Sequence, residues 1–68
     1  MDSWQKIFDD QLRYRAEIVQ AVLADNDIAS VILNKQDSAY KFGHFEVMVQ
    51  PDNVLPAIRI VKEEIKFE

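Results

Sequence analysis

Apolar residues recur along this chain in two periods, one near 3.6 residues and one of 2, which are the signatures of a helix face and of a strand face. Leu12, Ala16, Val19 and Leu23 stand at helical spacing, and Ile18 and Val22 widen the stripe. The spacing predicts a helix over residues 12–24, with Arg13, Glu17 and Gln20 on another side. Arg13 and Glu17, four apart, form a pair that stabilises a helix by a few tenths of a kcal/mol. A second helical stripe, Val54, Ile58, Val61 and Ile65 with Leu55 and Ala57 nearby, follows Pro51 and Asp52. Pro56 sets its start. Proline has no amide hydrogen, so it fits only where amides are free of intrahelical bonds, and Asn53 as N-cap puts Pro56 at the third helical position.

Strict alternation appears at residues 44–50. Phe45, Val47 and Val49 alternate with His44, Glu46, Met48 and Gln50, which predicts a strand over Phe45–Val49 with one apolar face toward the helices. Ile28–Leu33 reads as the strand before it. Trp4–Phe8, rich in β-formers, reads as the first strand, stopped by Asp9 and Asp10, one of which then N-caps the first helix. "ADND" ends that helix, and Asn26 or Asp27 takes a left-handed conformation there, since no glycine is at hand.

The predicted order is β-α-β-β-α. This is an α+β, ferredoxin-like arrangement without its last strand: a three-stranded sheet with two helices on one face. In it, strands two and three form a hairpin. Strands one and three are expected as parallel neighbours, with strand two outside strand three. Strand one is then an open edge, to be covered by the tail "IKFE" or by a second subunit. The uncovered sheet face is expected to carry Ile32 and Met48, with either Trp4 and Phe8 or Gln5 and Ile7. Trp4, Phe8, Ile32 and Met48 together would form an apolar patch, a candidate homodimer interface.

Sixty-eight residues make a single domain, 1–68, and a chain this short buries only about 60% of its unfolded surface. There is no cysteine and one histidine. Disulfides and thiolate metal sites are excluded, which leaves self-association as support for the fold. The N-terminus "MDSWQKIFDD" lacks the basic start and apolar core of a signal peptide. No run approaches the roughly 20 apolar residues of a membrane helix. Eight basic against twelve acidic residues give a net charge of −4. That balance argues against nucleic acid and anionic membranes as partners, and the cytoplasm is the expected location.

The stretch between strands two and three, "NKQDSAYKFGH", is the candidate contact loop. It holds the only glycine and histidine, and residues 34–44 carry net charge +1 within an acidic chain. Asn34, Lys35, Asp37, Tyr40, Lys41, Phe42 and His44 are its candidate contact residues. As a connection of nine or ten residues it exceeds the usual hairpin loop of about 2–5. Local positive charge suits an acidic partner or an anionic small molecule. His44 sits near Glu46 on one strand face. No catalytic motif is present: the single glycine excludes a phosphate-binding glycine loop, and Ser38, His44 and Asp37 have proximity in sequence without the geometry of a triad. Asp9 with Asp10 and Glu63 with Glu64 are a strand stop and a solvated face rather than metal ligands. The expectation is therefore a protein without enzymatic activity and without cofactor or metal. It is a regulatory or adaptor module working through protein contacts, with a sensor of a small anionic metabolite near residues 34–44 as the alternative.

"AEIVQAVLADNDIASVILN" followed by "FEVMVQPDNVLPAIRIV" resembles a family of small prokaryotic proteins of unknown function, described as candidate signal-transducing proteins. Ala16 and Glu17 match the opening of the family's first helix, and Val19 and Leu23 its buried positions. Asn34 matches the end of a strand, Asn53 the cap of the second helix and Ala57 an alanine within it. The resemblance spans nearly the whole chain and rests mostly on core and capping positions. It implies a fold related to the nitrogen-regulatory PII proteins, which are ferredoxin-like. This chain is much shorter than PII proteins, and no nucleotide motif carries over. Asp27 stands where the family usually has glycine.

Overall fold

The structure, a computed structural model, describes residues 3–37 and 42–67, and for residues 36, 37 and 42 the backbone only. The elements run β1 (Gln5–Asp10), α1 (Arg13–Asp25), β2 (Ser30–Asp37), β3 (Phe42–Val49), a 3-10 turn (Pro51–Asn53) and α2 (Val54–Glu64). This is the predicted β-α-β-β-α order, a three-stranded sheet with two helices in a ferredoxin-like arrangement. The sheet order is β1-β3-β2, and β3 pairs antiparallel with both neighbours.

The expectation that β1 and β3 run parallel is corrected. A hairpin sends β3 back against β2, and a strand-helix-strand crossover returns the chain in the direction it started. β1 and β2 are therefore parallel to each other, with β3 opposed to both.

The core lies between the helices and one sheet face. Ala16, Val19 and Leu23 of α1 and Ala57 and Ile60 of α2 are buried against Val47 and Val49 of β3, with Ile28 at the entry to β2. In α2 the buried stripe is centred on Ala57 and Ile60. Ile58, expected inside, is partly open, and Leu55 is 79% exposed. Leu12, expected to begin the α1 stripe, precedes the helix and is exposed.

The helix ends follow local chemistry. The Leu12 amide donates to Asp10 Oδ1 at 2.8 Å. The carboxylate thus holds the chain just ahead of α1 and does not cap its first-turn amides, as had been expected of Asp9 or Asp10. At the far end Asp27 takes φ 62°. Its amide donates to the Ala24 carbonyl and that of Ile28 to the Leu23 carbonyl, the paired bonds of a Schellman motif. Asn26 Nδ2 donates to the Val22 carbonyl at 2.9 Å. Pro56 is the third residue of α2 with Asn53 at the cap, as predicted, although the Asn53 side chain makes no capping bond.

β2 and β3 are longer than the apolar runs suggest. Their ladder continues without a shift from Ser30↔Val49 to Asp37↔Phe42, so only residues 38–41 connect them. The overlong loop is in large part regular hairpin. Its polar side chains hid a ladder that is built from backbone groups.

β1 carries a register shift between Lys6 and Phe8, where Ile7 is the extra residue. Ile7 and Phe8 both pack against the core. Neither expected alternation of strand one holds, because a bulge breaks the two-residue period.

Candidate functional site

Residues directly opposite in a ladder share a sheet face. The cross-strand rows Gln5–Val49–Ser30, Phe8–Val47–Ile32 and Asp10–Phe45–Asn34 lie toward the helices. The rows Lys6–Met48–Val31, Asp9–Glu46–Leu33 and His44–Lys35 lie on the other face. Among the described residues no helix covers this second face, and it is the candidate contact surface.

The expected apolar patch therefore divides. Phe8 and Ile32 pack against the core on the helix side, which corrects their placement on the open face. Met48 is on the open face, half-buried, and Trp4, also half-buried, lies two residues before Lys6. Val31 and Leu33 replace Ile32 there. The slip has a simple cause: Val31, Ile32 and Leu33 are all apolar, and a one-residue change of register exchanges the faces.

Polar groups converge beside these apolar residues. Glu46 is the hub. Its Oε2 accepts from His44 Nε2 at 3.0 Å and lies 3.9 Å from Lys6 Nζ. The Lys6 ammonium also meets Asp9 Oδ2 at 3.0 Å. The Glu46 side chain is only 15% exposed, whereas those of Lys6, Asp9 and His44 are each between 40% and 50%. Lys6 is held above its ordinary pKa of 10.5, first by its hydrogen bond to Asp9, then by the Asp9 charge, with a smaller contribution from Glu46. Exposed pairs of this kind add little stability. Their effect is to fix a pattern of charge on an otherwise apolar sheet face.

Of the candidate loop residues, Asn34, Lys35, Asp37, Phe42 and His44 all belong to the β2–β3 ladder. Lys35 is opposite His44 on the open face, while Asn34 is opposite Phe45 on the helix side. Tyr40 and Lys41 lie outside the described residues, as does Ser38, and the side chains of Asp37 and Phe42 are not described. His44 spends its Nε2 on Glu46. Among the described residues, no group of three or more His, Asp or Glu could hold a metal ion, and no helix is long and apolar enough to cross a membrane.

Two further features escaped sequence reasoning. The first is the seat of the C-terminal tail. Ile65 leaves α2 in an extended conformation, and the Phe67 ring meets Phe8 of β1 at 5.9 Å between centroids, tilted by 45°. The Arg15 guanidinium lies over Phe67 at 4.9 Å and donates to Asp10 Oδ2 at 3.4 Å. The tail thus packs by side-chain contact against the helix side of β1. The second is an open groove of about 410 Å3 between the outer flank of α1 and the start of β2, with Glu17, Gln20, Ala21 and Ala24 on one wall and Ile28–Ser30 on the other. The spacing of 17, 20, 21 and 24 is itself a helix stripe, but with two alanines it carries too little hydrophobicity to be noticed.

Compared with family models, with curated proteins and with solved structures, this chain finds no match.

Proposed function

We propose that this chain is a non-enzymatic regulatory or adaptor module that acts through protein–protein contacts in the cytoplasm, including contact with a second copy of itself. The observation that carries this reading is the open sheet face. Val31, Leu33 and Met48 stand there beside the Lys6–Asp9–Glu46–His44 network. Apolar centres bordered by fixed polar groups are the usual composition of contact surfaces. Signal transduction through regulated contact is the role to which the family resemblance leads.

The test is capture from a native lysate, with the parent chain and a Leu33→Lys/Met48→Lys variant as paired baits. A partner retained by the parent and lost from the variant supports the reading. Equal recovery on both, or no enriched partner, overturns the assignment to this face.

Sensing of a small anionic metabolite is the second reading. Lys35 directly opposite His44 on the open face favours it, since an ammonium and an imidazole there stand side by side as hydrogen-bond donors for an anion. A thermal-shift screen of nucleotides and phosphorylated metabolites separates the two readings. A ligand at a hundredfold excess over its Kd stabilises the fold by about 2.7 kcal/mol, and a flat screen removes this alternative.

A further inference from the structure

The two edges of the sheet are unlike. β1 carries the features by which edge strands avoid chance pairing. It has a bulge and charged residues at Lys6, Asp9 and Asp10. β2 is the opposite edge, and from Ser30 to Asn34 it carries none of these. The segment Ser-Val-Ile-Leu-Asn holds no proline and no charge, and its ladder with β3 runs without a shift. Such a strand offers a straight row of amides and carbonyls to another strand.

One outward group on this edge is already answered. Gln20 Nε2, from α1, donates to the Ser30 carbonyl at 3.1 Å. By the two-residue period of a strand, Ile32 and Asn34 turn their amides and carbonyls the same way. Beside the row runs the open groove. Ser30 is one of its wall residues, and its hydroxyl is buried with no hydrogen-bond partner among the described residues.

We propose that a second copy of this chain docks at this edge. β2 pairs antiparallel with the β2 of the second copy about a two-fold axis perpendicular to the sheet, and the two α1 flanks meet above the joint. Two three-stranded sheets become one of six strands. The inference rests on the self-contact reading given above and assigns that contact to β2 and α1.

Two features select an identical copy over a foreign strand. Ala21 and Ala24 make the α1 flank low, so that a second helix can approach closely. α1 is also asymmetric in charge from end to end, with Arg13, which bonds Glu17 at 3.1 Å and lies over the Phe45 ring, in its first turn and Asp25 and Asp27 at its close. Antiparallel juxtaposition about a two-fold sets the Arg13 end of each copy against the acidic end of the other, whereas a parallel alignment sets like against like.

Sedimentation of the full chain at high micromolar concentration, with three kinds of variant, tests this. Asn34→Pro removes an outward amide and leaves the ladder to β3 intact. Ala21→Arg fills the groove wall and is exposed on a helix, so it decides the matter if Asn34→Pro does not fold by circular dichroism. The chain has no cysteine, so Asn34→Cys and the β1-edge control Gln5→Cys can each be treated with a short bismaleimide. The expected result is a parent of twice 7.9 kDa, self-association weakened about tenfold or more in Asn34→Pro or Ala21→Arg, and covalent dimer from Asn34→Cys but not from Gln5→Cys. A parent dimer that survives these substitutions, or cross-links through Gln5→Cys instead, overturns the β2 assignment and leaves the self-contact reading standing. A monomeric parent overturns both.

Discussion

Asp27 holds a left-handed backbone, at φ 62°, in the one place where the chain has to reverse out of α1. An L-residue with a β-carbon pays roughly 1–2 kcal/mol for that conformation, less for Asp and Asn, and glycine adopts it freely at an entropic cost of its own. Asp27→Gly should therefore raise stability by about 0.5–1 kcal/mol, read as a shift in the urea midpoint at unchanged slope. Lys6 gives a prediction in pH. Its folded-state pKa lies above 10.5, so its charge favours the folded state fully below 10.5, and that contribution disappears as pH climbs through the raised value. The stability difference between the parent and Lys6→Met should be constant from neutral pH to about pH 10 and should shrink at higher pH. A difference that grows with alkalinity would contradict the Lys6–Asp9 bond.

At the scale of elements, the tail and α2 make separable predictions. Phe67 packs between Phe8 and Arg15, so Phe67→Ala should cost about 1–3 kcal/mol, below the range for a fully buried phenylalanine. Hydrogen exchange should quicken in β1 more than in β2. In α2, Ile60→Ala should cost about 2–4 kcal/mol and Ile58→Ala about half of that or less, because Ile60 is buried in the core and Ile58 is 38% exposed. The two helices and the order of elements were legible because their cores repeat at fixed periods, and the start of α2 was legible because Pro56 rules out a helix that begins earlier. The strands were harder. Asn34–Asp37 look like loop, yet the ladder is made by amides and carbonyls that every residue has. The Ile7 bulge leaves no mark in a six-residue strand, and three consecutive apolar residues in β2 do not say which of them faces the helices. The candidate site was legible at His44, Glu46 and Met48, where apolar and polar residues alternate, and not at Lys6, whose position depends on the bulge beside it.

The molecule as a whole is a slab. Its Cα extents are 35 × 35 × 14 Å and its radius of gyration is 12.0 Å, against about 10.9 Å for a compact chain of this length. One layer of helices on one layer of sheet is too thin to bury the surface that larger domains bury, and no disulfide compensates. Stability should then depend on concentration. If copies associate, Tm rises with protein concentration by mass action, and a Tm constant over a hundredfold range of concentration would mean that the slab stands alone.

The sheet order also constrains synthesis. β1 leaves the ribosome before β3, its partner among the described residues, which is the last of the three strands to be made, and Gln5 waits for Val49. Through that interval Ile7 and Phe8 have no core to enter. The charges on either side of them, Lys6 before and Asp9 and Asp10 after, are of the kind that keeps a nascent apolar segment from joining a neighbouring chain. Residues that in the finished fold only decorate a sheet edge thus protect the chain before the fold exists.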